Sequence, residues 1–300
     1  MLKIAYSPIY KYQLPPGHRF PMMKYELIPE QLLYEGSIDE NQFFHPDLLD
    51  EETILLTHTK GFWDKLQHQA LSAKEIRKIG FPMLDSLVTR GRHISQGTID
   101  CAEYALKFGC AMNIAGGTHH SFADRGEGFC VFNDFAITAN YLLKHKIVTK
   151  ILICDLDVHQ GNGTAKIFEN NQNVFTFSMH GAKNYPTKKE KSDLDIGLPD
   201  KTEDSFYLQT LEQNLSKLID KVKPDIILYL SGVDVLETDK LGRLSMTLEG
   251  CKTRDSIVFQ AAAKYQIPIS VSMGGGYSTR LADIVDAHAN TFRMAMQVFS

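Results

Sequence analysis

The chain has 300 residues, 43% of them hydrophobic and 23% charged, the balance of a globular protein with enough apolar material for a large core. A formal net charge of -4 gives no sign of the clustered basic surface that direct nucleic-acid binding needs. The five cysteines (Cys101, Cys110, Cys130, Cys154, Cys251) form no C-x-x-C pair and fit reduced intracellular thiols better than a disulfide framework.

In chain order, short apolar or β-branched runs over residues 3–6, 111–115, 151–154, 174–177, 226–230 and 267–271 predict strands. Segments of helical character lie between or after them, over 81–108, 133–144, 203–221, 247–265 and 279–296. This alternation predicts an α/β fold with a central, mostly parallel sheet flanked by helices. No repeat, low-complexity tract or Pro/Ser linker interrupts it, so residues 1–300 are expected to form one domain. No apolar run approaches the roughly 20 residues of a membrane span, and no charged-then-apolar leader opens the sequence. A cytoplasmic protein without membrane insertion is expected.

The polar clusters fall at strand ends. His119-His120 follow Gly116-Gly117, Asp155, Asp157 and His159 close the run at 151–154, Asp234 follows 226–230, and Tyr277 follows 267–271 through Gly274-Gly275-Gly276. Ligands of open α/β sheets sit outside the carboxyl ends of the strands, so these groups are aimed at one crevice. If the strand stays extended, Asp155, Asp157 and His159 share a face. Asp157, His159 and Asp234 together offer two carboxylates and one imidazole, the three-ligand pattern of a catalytic zinc with a fourth position open. Two carboxylates cancel the ion's charge, so a neighbouring base is needed, and His119 or His120 supplies it. The Tyr277 hydroxyl could stabilise an oxyanion. Neither glycine run matches a phosphate-binding loop. The stretch Lys188 to Asp193 reads as a solvated loop with a secondary reading as a substrate rim.

The ordered set Gly116-Gly117-Thr118-His119-His120, Gly128-Phe129-Cys130-Val131-Phe132-Asn133-Asp134, Asp155-Leu156-Asp157-Val158-His159-Gln160-Gly161-Asn162-Gly163, Gly232-Val233-Asp234 and Gly274-Gly275-Gly276-Tyr277 resembles the zinc-dependent histone deacetylase family. Gln160-Gly161-Asn162-Gly163 and Leu241-Gly242-Arg243-Leu244-Ser245 are most similar to its class IV branch and bacterial relatives. The resemblance implies a three-layer arginase/deacetylase fold and hydrolysis of an acyl group, acetyl or longer, from lysine side chains of a protein or peptide. It implies one Zn2+ per chain on Asp157, His159 and Asp234. His119 and His120 become the acid/base tandem, Asp155 orients His119, Asn162 partners His120, and Tyr277 polarises the carbonyl. Gly128, Phe129, Leu241 and Gly275 line the substrate path. A structural K+ beneath the zinc, at Asp155 and the backbone around Ser178, is also implied.

Two positions depart from the family pattern. Asn162 stands where many members have Asp, and a neutral amide stabilises imidazolium less than a carboxylate would, which makes His120 the less cationic partner. Arg19 stands where related sequences often have proline, and reads as a surface substitution. Three other functions compete: hydrolysis of acetylpolyamines or other small acylated amines, a dinuclear ureohydrolase, and a catalytically silent acyl-ligand binder. Position 161 is Gly, where the ureohydrolase would need a further carboxylate.

Overall fold

Side-chain alternation along β4 (Ile151–Asp155) determines the layering: Ile151 and Ile153 enter one apolar cluster, Leu152 and Cys154 another on the opposite face of the sheet. The structure, a computed structural model, describes residues 2–299, leaving the two ends of the expected domain, Met1 and Ser300, outside the described residues. The other strands are β1 (Lys3–Ala5), β2 (Phe43–Phe44), β3 (Cys110–Asn113), β5 (Val174–Gly181), β6 (Leu194–Leu198), β7 (Ile226–Leu230) and β8 (Ile269–Ser272). They form one eight-stranded sheet in the order β2-β1-β3-β8-β7-β4-β5-β6, and every registered pair is parallel.

Helices cover both faces. On one side pack α8 (Asp204–Val222), α9 (Leu248–Tyr265) and α10 (Leu281–Phe299), through residues such as Leu215, Phe259 and Phe292. On the other lie the end of α5 (Asp85–Phe108), α6 (Asp134–Lys144) and α7 (Asn162–Phe168), through Ala102, Phe135 and Phe168. The remaining helices, α1 (Lys24–Tyr34), α2 (Glu51–Ile54), α3 (Lys60–Gln67) and α4 (Ala73–Ile79), occupy the stretch before α5.

All six predicted strands exist, five with ends shifted by up to two residues and β5 running on to Gly181, four residues past the predicted end, and all five predicted helices are present. The helix expected from residue 81 begins at Asp85, because Pro82 lies in the approach and Leu84 is still extended (φ -128°). Edge strands β2 and β6 and helices α1 to α4 and α7 were not predicted.

The topology brings the motif-bearing strands together. β3, β8, β7 and β4 are consecutive neighbours in the sheet although they are far apart in the chain. Their carboxyl ends therefore present the His119, Tyr277, Asp234 and Asp157 loops side by side.

Candidate active site

The strand β4 stops at Asp155, and residues 156–160 bend away, so Asp155, Asp157 and His159 do not share an extended face. Asp155 turns to His119 instead: its Oδ2 is 2.7 Å from His119 Nδ1, and its Oδ1 accepts the Asp157 N–H at 3.1 Å. Asp157 and His159 turn to Asp234.

The ligand atoms of Asp157, His159 and Asp234 all lie within 4.8 Å of one another, and the three residues are buried. His159 Nδ1 is 3.1 Å from both Asp157 Oδ1 and Asp234 Oδ2. The outer carboxylate oxygens are held by backbone: Gly275 N–H donates to Asp157 Oδ2 at 2.9 Å, and Val158 N–H to Asp234 Oδ1 at 2.9 Å. A side chain at position 275 would place its Cβ inside the radius of Asp234 Oδ2 and 2.8 Å from Asp157 Oδ2, so the cluster requires glycine there.

Burial and the adjacent Asp157 charge push the Asp234 carboxyl up to about 7. Burial disfavours a charged His159, yet its hydrogen bonds to Asp157 and Asp234 raise it to about 10. Two buried carboxylates converging on a single imidazole form a donor set that a divalent ion fits.

The histidine pair stands beside the cluster. His119 Nε2 is 3.1 Å from His120 Nε2, and His120 Nδ1 is 2.6 Å from Asn162 Oδ1. Because carboxylate and amide oxygens only accept, each histidine donates from Nδ1, to Asp155 and Asn162 respectively. Burial alone would depress His119, but the Asp155 and Asp157 carboxylates overcome it and raise the ring to about 9. Burial, and then the neighbouring His119 and His159, hold His120 well below the ordinary histidine value. His120 is the less cationic of the two for these reasons, the Asn162 contact itself acting in the opposite direction.

Tyr277 closes the site on the far side. Burial, then the Asp234 and Asp157 charges, push its hydroxyl well above the usual phenol value, so it remains a donor. Its backbone N–H donates to Asp239 Oδ2 at 2.5 Å, and the other Asp239 oxygen accepts from Leu241 and Gly242 at 2.8 Å. One buried-side carboxylate thereby ties the Tyr277 loop to the Leu241 loop.

Outward from these groups opens a cavity of about 380 Å³, lined by His120, Gly128, Phe129, His159, Leu241 and Tyr277 and by the edge residues Asn184 and Tyr185. Phe129 is held at φ 67°, next to Gly128 at φ 53°, where an added Cβ would stand 2.6 Å from the His120 ring. This backbone directs the Phe129 ring toward Phe20 and Tyr277, at centroid distances of 5.3 and 5.9 Å. Inward, a space of about 40 Å³ runs past Asp157 and Asp234 to Tyr25, Arg90 and Ile94.

Residues 18–292 match the model of the histone deacetylase domain. The chain belongs to the histone deacetylase family. It is 40% identical over 296 residues to an uncharacterized protein of Picosynechococcus sp., covering 99% of each. It is 30% identical to acetoin utilization protein AcuC of Staphylococcus xylosus, over 91% of this chain and 76% of that protein. Histone deacetylase 2 of Arabidopsis thaliana is 27% identical over 93% of this chain and 75% of the relative. In fold it is similar to a crystal structure of an HDAC homolog complexed with SAHA, with a TM-score of 0.85 at 24% identity over 99% of this chain and 84% of that one. An HDAC homolog from Aquifex aeolicus gives 0.83 at 24% identity over 98% and 84%. As a histone deacetylase family member with the arginase/deacetylase fold, the chain is a deacetylase-type hydrolase.

Several residues that shape this histone deacetylase site carried no assigned role in the sequence reading. Asp134 accepts the Gly117 and Thr118 N–H groups (3.1 and 2.8 Å) and three hydroxyls, from Thr98, Thr118 and Ser272, fixing the loop that carries both histidines. Fully buried Arg254 donates to the carbonyls of Leu156 (3.3 Å), Ser231 (3.4 Å) and Gly232 (2.5 Å), so one guanidinium grips both loops that bear the carboxylates. Lys24, also buried, donates to the Gly274 carbonyl at 2.9 Å. Tyr185 sets its ring edge-on to His120 at 4.9 Å. Only Asp134 lay inside a quoted motif.

Lys188, Lys191 and Asp193 are exposed, as a solvated loop requires, but the secondary reading of this stretch as a substrate rim does not hold. Lys189 folds inward onto the Asn184 and Pro186 carbonyls (2.5 and 2.7 Å), and none of Lys188 to Lys191 lines the cavity. Arg19, read as a surface substitution, does line it, with its guanidinium 5.0 Å from the Phe129 ring centre. Asp155 and Ser178 are register partners on β4 and β5, with Ser178 Oγ 2.9 Å from His180 Nδ1.

Proposed function

We propose that this chain removes a short acyl group, acetyl above all, from the ε-amine of lysine, using one divalent ion held by Asp157, His159 and Asp234. The observation that carries this reading is the convergence of a three-donor cluster, a histidine pair and a phenol at the base of one cavity. Zinc suits the two-carboxylate, one-imidazole donor set. When bound, the ion supplies Lewis acidity to the substrate carbonyl and acidifies the attacking water.

The chain's own groups do the rest. Phe129, Tyr277 and Leu241 confine the apolar stem of the lysine while Gly128 leaves it room beside His120. His120 accepts the proton of the attacking water on Nε2, since Asn162 keeps the ring's own proton on Nδ1. His119, held by Asp155 through Nδ1, stabilises the negative charge that develops, and the pair returns a proton to the departing amine. Tyr277 donates to the carbonyl oxygen as it becomes an oxyanion. The space beside the cluster is small, about 40 Å³, which supports acetyl over longer acyl groups. A K+ at Asp155 and Ser178 belongs to the same reading, supported by their register across β4 and β5.

A panel of acetyl-lysine peptide, long-chain acyl-lysine peptide and acetylpolyamine, assayed with metal-loaded and chelated protein, tests the assignment. Metal-dependent turnover of the acetyl-lysine peptide is expected to lead the panel. Preference for acetylpolyamine would move the function to small amines, and binding without turnover of any member would make the chain a silent binder.

A further inference from the structure

The mouth of the cavity carries one sign of charge. Arg19, Lys78, Lys183 and Arg243 line it, and no carboxylate does. The nearby acids neutralise this only in part. Glu127 receives both Lys78 at 3.3 Å and Arg125 at 2.9 Å, and Asp200 receives both Arg243 at 3.1 Å and Lys183 at 3.8 Å. Arg125 also pairs with Asp124 at 3.0 Å, which leaves Glu127 to offset Lys78, whereas Asp200 alone is shared between Lys183 and Arg243. The side chains of Lys183 and Arg243 stay 73% and 55% exposed. Exposed Arg19 rests against the Phe129 face, which keeps its guanidinium at the entrance without cancelling its charge. The excess runs against the sign of the whole chain, whose formal net charge is -4.

On the acyl-lysine reading above, we propose that the cationic mouth selects acylated lysines carrying a carboxylate close to the lysine backbone. When the stem threads past Phe129 to the histidine pair, the lysine backbone and its neighbours remain at the mouth, level with Arg19 and Arg243. Guanidinium groups pair with carboxylates in a bidentate, oriented way, and like charge at an entrance repels polyamines and lysine-rich segments. The carboxylate has two sources: Asp or Glu flanking acyl-lysine in a peptide, or the α-carboxylate of free Nε-acyl-lysine. No bond is made or broken at the mouth, so the effect is on capture of the substrate.

The test measures kcat/KM of metal-loaded protein on acetyl-lysine peptides flanked by Asp/Glu, Ala or Lys/Arg, and on free Nε-acetyl-lysine with its carboxylate open or amidated. Acid-flanked peptides are expected to exceed basic ones by about tenfold at low salt. The ratio should fall toward one at about 1 M salt, where the Debye length shrinks to roughly 3 Å. It should also collapse in Arg19→Glu/Arg243→Glu. Free Nε-acetyl-lysine exceeding its amide and the peptides would make the α-carboxylate the source; the reverse would assign it to flanking acids. Peptides hydrolysed at equal rates, or basic ones faster, overturn the proposal and leave the deacylase reading intact. Hydrolysis of none overturns that reading, and the proposal with it.

Discussion

His120 Nδ1 stands 2.6 Å from Asn162 Oδ1, so an amide oxygen, which can only accept, fixes the proton on Nδ1 and leaves Nε2 as the ring's basic atom. Burial and the charges of His119 and His159 hold the His120 pKa low, so the ring stays neutral well into acid. Activity that needs neutral His120 is lost as pH falls through that low pKa. In Asn162→Asp a carboxylate favours imidazolium and raises the pKa, and the acidic limb of kcat/KM should move to higher pH. An unmoved limb would remove His120 from the role of base.

Tyr277 is a donor whose own ionisation is pushed well above the usual phenol range, so its contribution does not titrate near neutrality. Tyr277→Phe should lower kcat by roughly 10²- to 10³-fold, the scale of one lost oxyanion donor. Metal content should stay at the wild-type level, because the hydroxyl is not among the three donors. Steady-state kinetics beside metal analysis separates the two effects.

At position 275 the cluster's geometry forbids a side chain. Gly275→Ala would force its Cβ against Asp234 Oδ2 and displace the backbone N–H that holds Asp157 Oδ2. The expected outcome is a folded protein with weakened metal retention and activity reduced in parallel. Circular dichroism with a chelator-competition titration checks it, and unchanged affinity would show that the loop yields without disturbing the carboxylates.

Arg254 is bound to Asp255, which also accepts from Tyr229 (2.5 Å) and Thr291 (2.7 Å), so the guanidinium sits in a fully buried network. Arg254→Ala leaves Asp255 without its buried counter-charge and should destabilise the fold by about 3–5 kcal/mol. Arg254→Lys keeps the charge but cannot span the Leu156, Ser231 and Gly232 carbonyls together. Its metal affinity should drop by about 10- to 100-fold with a smaller loss of Tm. A Tm loss without any change in affinity would make Arg254 a purely structural residue.

The difference between Asp157 and Arg254 explains what could be read from the sequence. Asp157, His159, Asp234 and Tyr277 follow strands whose apolar runs are unmistakable, and a parallel sheet brings their carboxyl ends together, so the cluster was legible from strand positions alone. Arg254 sits on a helix, where one charge among Lys252, Thr253 and Asp255 reads as a solvated face, and its role depends on the loops after β4 and β7 coming to it with their carbonyls. The edge strand β6 alternates exposed Asp195 and Gly197 with apolar neighbours and so lacks the continuous apolar run of the central strands. Helices α2 to α4 span only four to eight residues, too short to show a period, and α1 carries Pro29 inside it. The bend after Asp155 was equally invisible, since backbone beyond a strand end is set by what its side chains find, here His119 on one side and Asp234 on the other.

The most direct test of the account is the metal content of the purified chain, measured by mass spectrometry after exhaustive gel filtration, beside the Asp157→Ala/Asp234→Ala double variant. One divalent ion per chain in the wild type, and close to none in the double variant with its fold retained, is the predicted result. Two ions per chain, or the same content in both proteins, would contradict it.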